Sequence, residues 1–124
     1  MSFLILQAYA QLIRMGGYIR RGDFQALYNA VRDCPIGKGP GHATLVEQIC
    51  SAVDIASIWY WKEALCLQRS AATTCLLRRF GVRAHLVIGA QQMPFMAHAW
   101  VEVNGSVVND KVYLPQIYSV LDRC

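Results

Sequence analysis

Apolar residues return at three- and four-residue intervals over residues 2–14 (Leu4, Ala8, Leu12) and again over residues 23–31 (Leu27, Ala30, Val31). That interval lines one face of a helix. Gly16-Gly17 separate the two stretches and Asp23 stands where an N-cap belongs, so two N-terminal helices are expected. Pro35, Gly37, Gly39, Pro40 and Gly41 then crowd a short segment, which neither a helix nor a central strand tolerates well, and a mobile loop is expected there. A third helix fits residues 44–58, with Leu45, Ile49, Val53 and Ala56 on one face and Thr44 and Glu47 spaced as a capping box. A fourth fits residues 65–79, closed by Arg78-Arg79 at the negative end of the helix dipole and by Gly81.

Beyond Gly81 the period falls to two. Val82, Ala84, Leu86 and Ile88 alternate with Arg83, His85 and Val87, and Ala97, Ala99, Val101 and Val103 alternate with His98, Trp100 and Glu102. Val107-Val108 follow an Asn104-Gly105 turn. Helices first and strands afterwards predict an α+β domain, a small antiparallel sheet packed on one layer of helices.

The length of 124 residues sets a single domain over residues 1–124. An apolar fraction of 55% with only 16% charged residues exceeds what a core of this size absorbs, so apolar surface is expected to remain for a partner. A net charge of +4, with Arg20-Arg21 and Arg78-Arg79 only as dipeptides, argues against nucleic acid as that partner. The apolar start of the chain is too short to span a bilayer and has no basic leader, so no membrane span is expected. Five cysteines (Cys34, Cys50, Cys66, Cys75, Cys124) with no Cys-x-x-Cys pair suggest a reduced, cytoplasmic protein, and the scattered His42, His85 and His98 suggest neither zinc nor another cofactor. Gly37-Lys38-Gly39-Pro40-Gly41 lacks the spacing of a phosphate-binding loop and follows no predicted strand.

Cys66 at the start of a predicted helix, His98 in a strand and Asp110 in the next strand have the chemistry of a nucleophile, its base and an orienting carboxylate. Hairpin register tests the pairing. A two-residue turn sets His98 opposite Lys111, whereas a three-residue Val103-Asn104-Gly105 loop pairs Glu102 with Ser106, Trp100 with Val108 and His98 with Asp110. The three-residue loop is therefore expected, with Cys66 delivered by the helix packed over the same sheet face, its thiol acidified by the helix N-terminus and the imidazole. The other four cysteines are expected to be small apolar residues. Arg69 suits a structural ion pair or contact with the substrate, and Trp100 suits shielding of the triad, a substrate groove or plain core packing. Glu102 and Asp54 are expected as solvated charges, and His42 as a surface residue. Gln48, Trp59 and Trp61 are upstream candidates for a second oxyanion donor beside the Cys66 N–H.

Several blocks carry a resemblance: Cys66-Leu67-x-Arg69-Ser70, Leu76-Leu77-Arg78-Arg79-x-Gly81, Leu86-Val87-Ile88-Gly89, Phe95-x-Ala97-His98-Ala99-Trp100-Val101-Glu102 and Val108-Asn109-Asp110. In this order they resemble the stand-alone leader peptidases of bacterial lasso-peptide biosynthesis, a transglutaminase-like branch of the papain-type cysteine proteases. The resemblance implies a transglutaminase-like core over residues 42–124 behind N-terminal helices and a loop over residues 1–41. It implies Cys66 as nucleophile, His98 as general base and acid, and Asp110 as the residue that orients His98, with Arg69, Ser70 and Trp100 as candidates for substrate contact. The implied reaction is cleavage of the leader from a ribosomally made precursor peptide. A separate leader-recognition protein would deliver the precursor, and a lasso cyclase would take the product. Acyl transfer to an amine and a non-catalytic peptide-binding module of the same fold are the alternatives.

Overall fold

In the computed structural model, which describes residues 2–61, 64–92 and 95–124, the first helix runs straight through the glycine pair, so that α1 spans Ser2–Arg20. Gly16 serves close approach rather than a break. A Cβ on Gly16 would lie 2.5 Å from the Tyr60 hydroxyl and 2.8 Å from Gln68 Nε2, and Gln68 Nε2 donates to Leu12 O at 2.8 Å. α2 (Phe24–Arg32) begins where expected, with Asp23 Oδ1 accepting from Ala26 N at 3.1 Å. α3 (Ala43–Ile58) is capped by His42, whose Nδ1 accepts from Leu45 N at 3.2 Å, and not by Thr44. α4 (Cys66–Arg79) ends in a Schellman motif: Gly81, at φ 90°, donates to Arg78 O and Val82 N donates to Leu77 O.

The glycine-proline segment expected as a mobile loop lies pinned along the end of α4. Gly37 N donates to Arg78 O at 2.7 Å, and a Cβ on Gly37 or Gly39 would collide with the Arg79 or Phe80 carbonyl. Cys34, at the head of that segment, is joined to Cys75 of α4 by a disulfide, with the Cα atoms 5.7 Å apart. This corrects the expectation of five reduced thiols; Cys50, Cys66 and Cys124 are free.

β1 (Ala84–Gln92), β2 (Phe95–Val103) and β3 (Ser106–Val107) form the antiparallel meander read from the alternation. The chain then makes a short helix, α5 (Leu114–Ile117), and a last strand, β4 (Ser119–Arg123), which joins the free side of β1 to give the order β3-β2-β1-β4. The sheet is covered on both faces, not one. Leu86, Ala99 and Val101 pack with α1, α3 and α4 into the main core, while Val87, Trp100, Val107 and Leu114 form a second core with Tyr118 and Val120. Among the described residues no helix is long and apolar enough to cross a membrane.

Candidate active site

Cys66 is the first residue of α4. Its N-cap, Leu65, supplies no side-chain acceptor, so the first-turn N–H groups face no internal competitor for a developing negative charge. The thiol is half-buried and lines a small cavity of about 120 Å³ together with His98.

His98 is held on three sides. Its ring stacks on Tyr118 (centroids 5.6 Å apart) and on Trp100 (6.2 Å), and its Nε2 lies 2.9 Å from Asp110 Oδ2. An ionised carboxylate can only accept, which assigns the Nε2 proton and leaves the Nδ1 lone pair of the neutral ring unused. Asp110 is fixed in turn by the Lys111 N–H, 2.8 Å from its other oxygen. Partial burial works to raise the Asp110 carboxyl, but the His98 hydrogen bond, the Lys111 N–H and the positive charges of His98 and Arg69 outweigh it and hold the pKa below the ordinary carboxylate value.

His98 and Asp110 meet by a route the register argument missed. The hairpin has the two-residue turn: Val103 pairs with Ser106 and Glu102 with Val107, with Asn104 at φ 54° and Gly105 at φ 78°, as a type I′ turn requires. The expected three-residue loop is therefore wrong. The ladder is broken two residues later instead. Val108 N donates to Val101 O at 3.0 Å, but the return bond from Val101 N goes to the side chain of Asn109, at 2.8 Å from Oδ1. With a side chain standing in for the next backbone carbonyl, the chain leaves the strand at Asn109 and brings Asp110 back to His98.

The sheet face also differs from the expected one. Ala99 and Val101 pack against the helices, so the intervening His98, Trp100 and Glu102 point to the opposite face. α4 reaches His98 around the strand edge. Carbonyls two residues apart in a strand point the same way, so Ala99 O faces the β3 side like Val101 O. There it accepts from Ser70 Oγ at 3.1 Å, and Asn109 Nδ2 donates to the same hydroxyl at 3.0 Å. Ser70 and Asn109 thus tie α4 to the edge of β2 that β3 has vacated.

Ser70 and Trp100 are buried, at 1% and 0% exposure, which replaces the expected substrate contact with support from behind. Trp100 Nε1 donates to Glu102 Oε2 at 2.9 Å, and Glu102 also accepts from Arg123, so Glu102 is a buried, paired carboxylate rather than a solvated one. Gly89 leaves room for this arrangement, since a Cβ there would lie 2.6 Å from the Trp100 ring. Arg69 lies with Asp110, Asn109 and Asp54 in a neighbouring polar cleft of about 460 Å³. Asp54 is an exposed charge, as expected; partial burial of its carboxyl raises its pKa, with Arg69 working to lower it and Asp110 to raise it. His42 and His85 are exposed and stand apart, as do Gln48, Trp59 and Trp61, none of which lines the cavity shared by Cys66 and His98. Sequence reasoning gave no role to Asn109 or Tyr118. An Asn-Asp pair after a strand reads as an ordinary turn, and only the position of Asn109 next to Asp110 hinted at more.

The structure thus sets a helix-borne thiol and a strand-borne histidine on one small cavity of an α+β scaffold, with a carboxylate on that histidine. The transglutaminase-like superfamily model matches residues 12–123, and the chain belongs to that superfamily. A stretch of 56 residues is 43% identical to the microcin J25-processing protein McjB of Escherichia coli, covering 45% of this chain and 27% of that protein. The chain thus matches little more than a quarter of that relative's length. No solved structure matches significantly.

Proposed function

We propose that this chain is a cysteine peptidase that cleaves the leader from a ribosomally made lasso-peptide precursor. The observation that carries the reading is the His98 Nε2–Asp110 contact of 2.9 Å, which leaves Nδ1 for the thiol with which His98 shares a cavity. The partial identity to a microcin-processing protein supports the substrate class. On this reading residues 42–124 carry all three reacting groups and residues 1–41 brace the helix that bears the nucleophile.

His98 Nδ1 takes the proton of Cys66, and the thiolate sulfur adds to the scissile carbonyl carbon. The oxyanion is met by the Cys66 N–H at the start of α4. Collapse expels the amine of the following residue, which leaves with the proton from His98, and a thioester remains on Cys66. Water then attacks the thioester with His98 as base, releasing the leader carboxylate and restoring the thiol. Asp110 keeps the imidazole oriented and stabilises its protonated form throughout.

The test is mass spectrometry of a precursor peptide incubated with the protein and a leader-recognition partner, in wild type and in Cys66→Ala. A single cut at the leader boundary, lost in Cys66→Ala, is expected. Joining of the acyl group to an added amine in place of hydrolysis identifies an acyl transferase. Binding without any cut identifies a peptide-binding module, and a cut that survives Cys66→Ala removes the nucleophile assignment.

A further inference from the structure

Where α4 begins, the sheet face beneath it changes size. The helix-facing positions Ala84, Leu86 and Val101 are filled and fully buried, but further along the same face β2 carries only Ala99 and Ala97, opposite Ile88 and Ala90 of β1. The first turn of the helix offers Cys66 and Leu67 above them. The alanines leave the space unfilled, and the result is the cavity of about 120 Å³ walled by Cys66, Leu67, Ile88, Ala97, His98 and Ala99.

We propose that this cavity is a specificity subsite for a compact aliphatic side chain of the peptide being cut. Its occupant rests on the peptidase reading, while its chemistry rests on the cavity walls. At roughly 30 Å³ for each water-sized group, the space takes about four such groups. That suits valine, leucine or isoleucine and is small for the rings of phenylalanine and tryptophan. Apart from the two reacting groups, the named wall residues are hydrocarbon, so a charged or amide side chain seated there would shed its water and gain no partner. An aliphatic side chain loses nothing of the kind, and in filling the space it carries its own backbone alongside Cys66 and His98. A site shaped by apolar walls discriminates by size, typically about tenfold or more for one or two methylene groups.

The walls can be moved in both directions. Ala97 is exposed and Ile88 half-buried, so Ala97→Leu and Ile88→Ala alter the cavity without touching the triad. Precursor peptides are varied at each residue flanking the cut, and kcat/KM is measured for alanine, leucine, phenylalanine and aspartate. One position is expected to favour leucine over aspartate by about tenfold or more. Ala97→Leu should erase the advantage of leucine over alanine at that position, and Ile88→Ala should admit phenylalanine. Side-chain discrimination that both active variants leave unchanged overturns the subsite.

A second readout does not depend on hydrolysis. Cys66 sulfur displaces iodide from N-isobutyl iodoacetamide or from its polar counterpart N-(2-hydroxyethyl) iodoacetamide, and the adduct at Cys66 is quantified by peptide mass spectrometry. A rate ratio favouring isobutyl above that of glutathione, and lost in Ala97→Leu, supports the cavity even if no precursor is cut, in which case only the peptidase reading falls. A ratio equal to that of glutathione overturns the subsite whether or not peptides are cleaved.

Discussion

At the scale of single residues, Asp110 has the sharpest consequences. Asp110→Asn keeps the shape but removes the charge that stabilises protonated His98, and an amide can present its NH₂ to the ring and reverse the tautomer. Turnover of a cleavable precursor is expected to fall by about 10²- to 10⁴-fold with little change in KM. The same substitution alters acid stability with a definite sign. The folded pKa of Asp110 lies below the ordinary carboxylate value, so its contribution is fully present above about pH 4 and is lost as pH falls through the lowered folded value. Thermal melts between about pH 3 and 6 should show that acid-side loss in wild type and a flatter profile in Asp110→Asn. Equal acid sensitivity in the two proteins would discard the linkage. The net shift of Cys50 has the opposite sign: burial, with no opposing hydrogen bond, pushes its thiol up to about 11, and the nearby Asp54 adds to the rise. At pH near 8 Cys50 should therefore resist alkylation in the folded protein and label once the chain is unfolded in urea.

At the scale of elements, the hairpin and its exit explain what sequence could and could not give. Period-two alternation located β1 and β2, and the Asn104-Gly105 pair located the turn, because both signals are local. Register was inferred from the need to place His98 opposite Asp110, and it failed because the ladder does not continue that far. Asn109 replaces a strand carbonyl with its own side chain, a substitution that no periodicity records. β4 was missed for a related reason: Ser119, Leu121, Asp122 and Arg123 are exposed on an edge strand and leave no alternating pattern. Cys66, His98 and Asp110 could be singled out because residue types in sequence context are local signals, whereas the sheet face and the edge approach of α4 could not, being set by packing between distant segments. Asn109→Ala tests this element directly. It removes the acceptor from Val101 N and the donor to Ser70 Oγ, an expected loss of about 1–3 kcal/mol of stability. Because Asp110 is then no longer aimed at His98, kcat should fall while KM holds. A variant that loses stability but keeps full kcat would show that the latch serves the fold alone.

Across the whole molecule, large apolar side chains remain exposed, several of them in the sequence leading to α4. Ile58, Trp59, Trp61 and Leu65 are 56–78% exposed just ahead of Cys66, in keeping with the apolar excess of the composition. The far end of α4 is locked down by contrast. Arg78, 6% exposed, donates through Nε to Ala84 O at 2.9 Å and through Nη1 to Val31 O, so it joins the end of α2 to the start of β1. The Cys34–Cys75 disulfide fastens the same corner across 41 residues of chain. In the chain-entropy picture, closing a loop of about that length stabilises the fold by roughly 4 kcal/mol, and measured values fall more often at 2–4. Urea unfolding with and without dithiothreitol should therefore show a lower midpoint on reduction, and Cys75→Ala should show a low midpoint that dithiothreitol no longer moves. Alanine suits the test because Cys75 is buried, and a serine hydroxyl there would add a desolvation penalty of its own. Cys66 lies more than two helical turns from Cys75 along α4, and the Arg78 hydrogen bonds persist on reduction, so cleavage should survive at temperatures where the reduced protein is folded. A midpoint that does not respond to dithiothreitol would mean that Arg78 and the Schellman end of α4 hold this corner without the covalent bond.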